Sequence, residues 1–91
     1  METLIEKINN LLIQLNFKEV VINDTIFYEQ ANYYYRITYI KGLDAFVIEY
    51  TDSIERAEKK LLEDGDRYPI SLGEDVLLEK LKEDLLEYYI K

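Results

Sequence analysis

Hydrophobic residues recur every three or four positions in the first segment of the chain. They are Leu4, Ile5, Ile8, Leu11, Leu12 and Leu15. This spacing places them on one face of an α-helix, and most of the polar residues between them fall on the other side. The pattern therefore predicts a helix over residues 4 to 15, with Asn16 as its stop signal.

The middle of the chain, from about residue 18 to residue 50, is rich in Val, Ile, Thr, Tyr and Phe, which favour β-strands. Strands are predicted over residues 19–22, 25–29, 33–41 and 45–50, and the first two can also be read as one bent strand. A short turn separates the last two, so they should form an antiparallel hairpin. We expect Ile37, Phe46 and Ile48 to point into the core.

Helical spacing returns after residue 52 and predicts two more helices. The first begins with Asp52 or Ser53 as its N-cap and ends at Gly65 as its C-cap, followed by a connecting loop that contains Pro69. The second covers residues 72 to 89, with Ser71 as the N-cap of a capping box.

The order of these elements predicts the fold class. The chain, residues 1–91, has the length of one compact domain. Because the strands come in one block, we predict an α+β fold: a helix, then a three- to four-stranded antiparallel β-meander, then two helices packed on one face of the sheet.

Charge and composition narrow the possible partners. Nineteen acidic residues against 11 basic ones give a net charge of −8, which opposes nucleic-acid binding and favours a basic protein partner, although acidity can also serve only solubility. The chain has no cysteine and no histidine, so we expect no disulfide, and the commonest transition-metal ligand is missing. The acids around Gly65 lack the alternating spacing of a calcium loop, and we therefore expect no metal and no cofactor. Without a signal peptide or a long apolar run, we expect a cytoplasmic protein that does not enter membranes.

Catalytic patterns are absent from the sequence. Ser53 and Ser71 have no histidine or cysteine to work with, and the three glycines stand apart, so neither a familiar nucleophile nor a phosphate-binding loop is present. The acidic residues are too many and too dispersed for any pair to indicate acid–base chemistry. We therefore expect that the chain is not an enzyme.

Two groups of residues are candidates for partner contact. Nine tyrosines are present, and three of them, Tyr33, Tyr34 and Tyr35, are consecutive, so a strand cannot turn all three toward the core. Tyrosine is common in protein interfaces, but packing between strands would explain these rings equally well. The acids Glu63, Asp64 and Asp66 are the second group; they can attract a basic partner or simply lie at a solvated helix end.

One family resemblance covers much of the chain. The strand Ala45-Phe46-Val47-Ile48-Glu49-Tyr50, the helix that follows it, and Glu63-Asp64-Gly65-Asp66-Arg67-Tyr68-Pro69-Ile70-Ser71-Leu72 resemble the bacterial TriTu immunity protein family. The segment around Glu-Asp-Gly-Asp carries the most specific part of the resemblance. The resemblance implies a protein that binds a cognate toxin in the cytoplasm of the producing cell and neutralises it by occlusion.

Two rival hypotheses stay open at the level of the sequence. The chain could be a regulatory or structural subunit that forms a homodimer through the tyrosine face or the last helix. It could also bind a small molecule in a pocket between the sheet and the helices.

Overall fold

The computed structural model describes residues 3–90; Met1, Glu2 and Lys91 lie outside the described residues. The elements in order are α1 (Leu4–Gln14), β1 (Lys18–Ile22), β2 (Thr25–Gln30), β3 (Tyr33–Ile40), β4 (Ala45–Thr51), α2 (Ile54–Glu58), β5 (Glu63–Pro69) and α3 (Glu74–Asp84). Single 3₁₀ turns occupy Lys41–Leu43 and Ile70–Leu72, and a π-helical turn, Leu85–Tyr89, continues α3. The predicted α+β class is confirmed.

The five strands form one open antiparallel sheet in the order β1-β2-β3-β4-β5. Two-residue turns with left-handed backbone, Asn23–Asp24 and Ala31–Asn32, connect the first three strands. Each strand therefore pairs with its neighbour in sequence, as a meander requires. Strands β1 and β5 are the two edges of the sheet. The acidic residues Glu63, Asp64 and Asp66 therefore lie at one edge, which is called the β5 border below.

Helices α1 and α3 cover one face of the sheet, which is called the helix face below. The core on this face contains the buried residues Ile8, Leu12, Phe17, Tyr28, Tyr35, Ile37, Phe46, Ile48, Tyr68, Leu77, Leu81 and Leu85. Ile37, Phe46 and Ile48 are among them, which confirms the residues predicted to point inward. Alternate residues of β3 and β4 supply this face because successive side chains on a strand point to opposite sides.

The short helix α2 packs with a second cluster, on the opposite face. Ala57 of α2 is buried there with Ile22 and Phe27, and Tyr34 packs against them. Tyr34 and Tyr35 are neighbours on a strand, so their clusters lie on opposite sides of the sheet. The prediction that both later helices pack on one face is therefore wrong for α2.

Strand β5 occupies the segment that was predicted to be a helix end and a loop. Helix α2 ends much earlier than Gly65, because Lys60 takes a left-handed backbone (φ 57°) and turns the chain into the strand. The sheet consequently has five strands, more than the predicted three or four. Tyr68 anchors β5 from within: its ring is fully buried and its hydroxyl donates a hydrogen bond to Asp84 Oδ2 at 2.8 Å.

The two terminal helices differ in how well they match the prediction. Helix α1 begins and ends close to the predicted limits, and Asn16 stops it with a left-handed backbone (φ 69°). Helix α3 begins at Glu74 with Gly73 as its N-cap, so the predicted capping box at Ser71 is wrong. In the described part of the chain, no helix is long and apolar enough to cross a membrane.

Candidate functional site

Four tyrosine rings meet at one end of the helix face, and this group is called the tyrosine cluster. It contains Tyr33 and Tyr35 from β3, Tyr50 from β4 and Tyr89 from the π-helical turn. The ring centroids of Tyr33 and Tyr50 are 6.4 Å apart, those of Tyr35 and Tyr50 6.3 Å, and those of Tyr50 and Tyr89 6.2 Å. These are contact distances for aromatic rings, so the strand pairing and the end of α3 stabilise one another here.

Tyr35 forms the buried centre of the cluster. Its side chain is 3% exposed, it meets the Tyr89 ring edge-on at 5.8 Å, and its hydroxyl donates a hydrogen bond to the Tyr89 carbonyl at 3.2 Å. Burial, with smaller contributions from Tyr33, Tyr89 and Tyr50, raises the pKa of Tyr35 to about 12. The phenol therefore stays neutral at any physiological pH.

The hydroxyl of Tyr89 fills an irregularity in strand β5. The pairing between β4 and β5 is interrupted between Val47 and Glu49, and the Asp66 N–H instead donates to Tyr89 Oη at 3.3 Å. The same hydroxyl donates to Asp66 Oδ2 at 3.0 Å. A methyl group on Gly65 would lie 2.6 Å from Tyr89 Oη. Glycine is therefore the residue that lets the ring reach the strand.

The three acidic candidates lie along β5, at the open edge of the sheet. Glu63, Asp64 and Asp66 are all exposed. Glu63 pairs in register with Tyr50 of the tyrosine cluster. Burial, followed by the field of Glu63, raises the pKa of the Tyr50 hydroxyl. The carboxylate and the ring are thus close enough to interact.

Asp64 points to the opposite face, where it pairs in register with Glu49. Glu49 is not free to attract a partner, because its Oε1 accepts hydrogen bonds from Arg36 Nε at 3.1 Å and from the Thr38 hydroxyl at 2.8 Å. Asp64 therefore supplies the negative charge of this border on the side away from the tyrosine cluster.

A small polar recess opens beside the cluster, and it is called the notch. Its lining residues are Tyr33, Tyr50, Thr51, Asp52, Arg56 and Glu63, and its volume is about 240 Å³. The notch lies where β3 and β5 begin and β4 ends, next to the start of α2. It brings one predicted tyrosine and one predicted acid into a single recess.

Larger grooves lie elsewhere, and the two with the greatest volumes are on or beside the helix face. One, of about 690 Å³, runs between α1 and α3 and is lined by leucines as well as Lys7, Lys82, Glu79 and Glu83. The other, of about 540 Å³, lies on the helix face where α1 leaves part of the sheet uncovered, next to Ile5, Ile26 and Tyr39. Neither contains any residue of the predicted site.

The predicted contact residues are thus divided by the structure. Tyr33 and Glu63 meet at the notch, and Asp66 lies next to it through Tyr89. Tyr34 is half-buried on the opposite face, against the α2 cluster. Tyr35 is too buried to touch a partner, and its expected role as a contact anchor is therefore wrong; it holds the cluster together instead.

Sequence reasoning did not select three residues that belong to this region: Tyr50, Tyr89 and Arg56. Tyr50 could have been found from the hairpin, because it pairs in register with Tyr35. The position of Arg56 depends on where α2 packs, and that of Tyr89 on the π-helical turn, so neither has a local signal in the sequence. Over residues 3–90, no group of three or more acidic side chains is arranged to hold a metal ion.

Comparison with protein-family models gives no match, and neither the curated proteins nor the solved structures contain a significant match to the chain. The resemblance to the TriTu immunity family stays a prediction, and function has to be argued from the surface itself.

Proposed function

We propose that this chain is a cytoplasmic immunity protein, which binds a basic protein toxin and neutralises it by covering the surface the toxin needs. The observation that carries the proposal is the composition of the β5 border. Three exposed carboxylates line an open sheet edge, directly beside the partly exposed Tyr33 and Tyr50.

Such a border combines the two properties that protein recognition requires. Negative charge speeds the encounter with a positively charged partner and opposes wrong partners. Tyrosine supplies broad, stiff contact area with a polar tip, so it gives affinity at a low entropic cost. Inhibition by occupancy needs no catalytic group and no cofactor, which agrees with a chain that contains neither histidine nor cysteine.

Strand β5 carries three acids and one base, Arg67, so its net negative charge disfavours self-pairing of the sheet at this edge. Exposed edge strands tend to recruit a second copy, and like charges opposite one another oppose that pairing. A basic strand or loop of another protein would not meet this repulsion. Nucleic acid would be repelled, because its phosphates are negative and the chain has a net charge of −8.

The proposal is tested with the protein encoded by the adjacent reading frame. Its C-terminal domain is expressed alone in a bacterial host and is expected to stop growth, and co-expression of this chain should restore growth. The variant Glu63→Gln/Asp64→Asn/Asp66→Asn should protect less well at equal expression level. Failure of the wild-type chain to restore growth, against a neighbour that is toxic, would contradict the proposal.

A homodimeric subunit is the second candidate, and one observation favours it. Val21 is 66% exposed and Ile26 is 50% exposed, although the two residues are paired in register at the β1 edge. Strand β1 carries one acid and one base, Lys18 and Glu19, so it lacks the repulsion present at β5. Sedimentation over a concentration series should then reveal a dimer that Val21→Lys abolishes, and a monomer at all concentrations would rule this candidate out.

A further inference from the structure

The notch combines aromatic rings with charged side chains. Its walls include the rings of Tyr33 and Tyr50, and the remaining lining is polar or charged: Thr51, Asp52, Arg56 and Glu63. The two rings are tilted by 46° to each other, so they form a corner rather than a closed stack. A flat group can lie against one ring while its edge reaches a carboxylate.

Charge decides which kind of group the notch attracts. Asp52 and Glu63 contribute two negative charges and Arg56 one positive charge, so the lining is net negative. In the described part of the chain no ion pair joins Arg56 to either carboxylate, since the pairs formed are Lys7–Glu74 and Arg36–Glu49. The Glu63 carboxylate already accepts a hydrogen bond from the Tyr50 hydroxyl, so its remaining lone pairs and those of Asp52 are the acceptors open to an external cation.

Asp66, three residues along strand β5 from Glu63, strengthens this field. It acts on the Tyr50 hydroxyl together with Glu63, and both raise the pKa of Tyr50, after the larger effect of burial. A third carboxylate thus adds to the negative field at the Tyr50 wall of the notch.

We propose that the notch binds the guanidinium group of an arginine side chain presented by the protein partner. A guanidinium is planar, stacks on aromatic rings and donates paired hydrogen bonds to a carboxylate, and tyrosine faces and Glu63 offer these partners together. This inference rests on the proposed function, because it names the chemical group through which a basic partner would dock.

The experiment uses the whole chain and small probes, so no partner is needed. Nα-acetyl-arginine amide is titrated into the ¹⁵N-labelled protein, and Nα-acetyl-citrulline amide serves as the uncharged probe of matched shape. The arginine probe should shift the resonances of Tyr33, Tyr50 and Glu63 in a saturable manner, with a Kd on the order of millimolar. The citrulline probe should shift them weakly or not at all.

Variants at exposed positions give effects of opposite sign. Glu63→Gln should weaken binding of the arginine probe by about twofold to fivefold, since it removes one surface charge contact. Arg56→Ala should strengthen it, because it removes the like charge from the lining. Glu79→Gln, which changes the net charge equally on α3, should leave the affinity unchanged. Unaltered spectra of the free variants will show that each one is folded.

Three results would overturn the assignment: equal binding of citrulline and arginine, tighter binding of the corresponding lysine probe, or an affinity that Glu63→Gln leaves intact. The neutralisation assay is independent of these probes. Saturable arginine binding without protection from the neighbouring protein would refute the proposed function and leave the notch assignment standing. Protection without arginine binding would refute the notch assignment and leave the proposed function standing.

Discussion

Gly65 is the residue on which the contact between β5 and the end of α3 depends. An added methyl group would lie 2.6 Å from Tyr89 Oη and 3.3 Å from the Ile48 carbonyl oxygen. The first distance is far below van der Waals contact, so the Tyr89 ring would have to leave its place. Its two hydrogen bonds with Asp66 would be lost with it.

We expect Gly65→Ala to lower the free energy of unfolding by about 1–3 kcal/mol, the usual cost of overpacking a filled site. Urea denaturation measures it, and Gly42→Ala is the matched control because no atom lies within 4 Å of its added methyl group. Tyr89→Phe removes the clashing oxygen, so the double variant should lose less stability than the two single changes predict. Equal losses for Gly65→Ala and Gly42→Ala would contradict this account.

The tyrosine cluster also makes the free energy of unfolding depend on pH in the alkaline range. The pKa of Tyr35 and that of Tyr89 are raised from 10.0 to about 12, in both cases mainly by burial. The unfolded chain therefore loses these protons first as the pH rises. Their contribution to stability is complete below about pH 10 and is lost between about pH 10 and pH 12.

The free energy of unfolding should accordingly fall over that range, and the fall should be shallower in Tyr35→Phe. One titrating group accounts for at most about 1.4 kcal/mol per pH unit. Urea titrations at a series of pH values give the slope, and absorbance of the phenolate reports the ionisation directly. Parallel slopes for the variant and the wild type would show that Tyr35 does not contribute.

At the level of elements, the sequence predicts best where the pattern is local and regular. The predicted bounds of helix α1 and of the β3–β4 hairpin agree closely with the structure, because the hydrophobic periodicity and the turn residues of each lie within its own segment. Strand β5 could not be predicted, since Glu63-Asp64-Gly65-Asp66 has neither strand-forming residues nor alternation. It is a strand because β4 offers it an edge and Tyr68 is buried. The notch could not be predicted either, since it depends on where α2 packs.

Ser53 and Ser71 were both predicted from the sequence to be helix N-caps, and the structure shows this role for Ser53 but not for Ser71. The Ser53 hydroxyl accepts a hydrogen bond from the Arg56 N–H at 3.4 Å and caps α2. Ser71 lies within a 3₁₀ turn and is exposed, and the cap of α3 is Gly73. Only Ser53 therefore has a capping contact to lose.

Ser53→Ala should destabilise the fold by about 1 kcal/mol, the typical cost of losing an N-cap, and Ser71→Ala by less than about 0.5 kcal/mol. Thermal unfolding of both variants at the same pH provides the comparison. If Ser71→Ala proved the more damaging of the two, the boundary of α3 described above would have to move toward the one predicted from the sequence.

For the whole molecule, the distribution of charge matters more than its total. Glu63→Gln/Asp64→Asn/Asp66→Asn removes three of the negative charges and changes the net charge from −8 to −5. Asp75→Asn/Glu79→Gln/Glu83→Gln makes the same change on α3, where all three side chains are also exposed. If the β5 border contacts the partner, the two variants should bind it at different rates although their net charges are equal.

We expect the association rate with a toxin that the chain neutralises to fall by about tenfold in the β5 variant and by much less in the α3 variant, because steering acts mainly near the docking surface. Stopped-flow measurements at several salt concentrations separate the effect of charge at the β5 border from the effect of total net charge. The wild-type rate should fall as salt screens the charges, and the β5 variant should show a weaker dependence on salt. Identical rates and salt dependence for the two variants would mean that the acidic border acts only through total charge, and the partner would then have to bind another face.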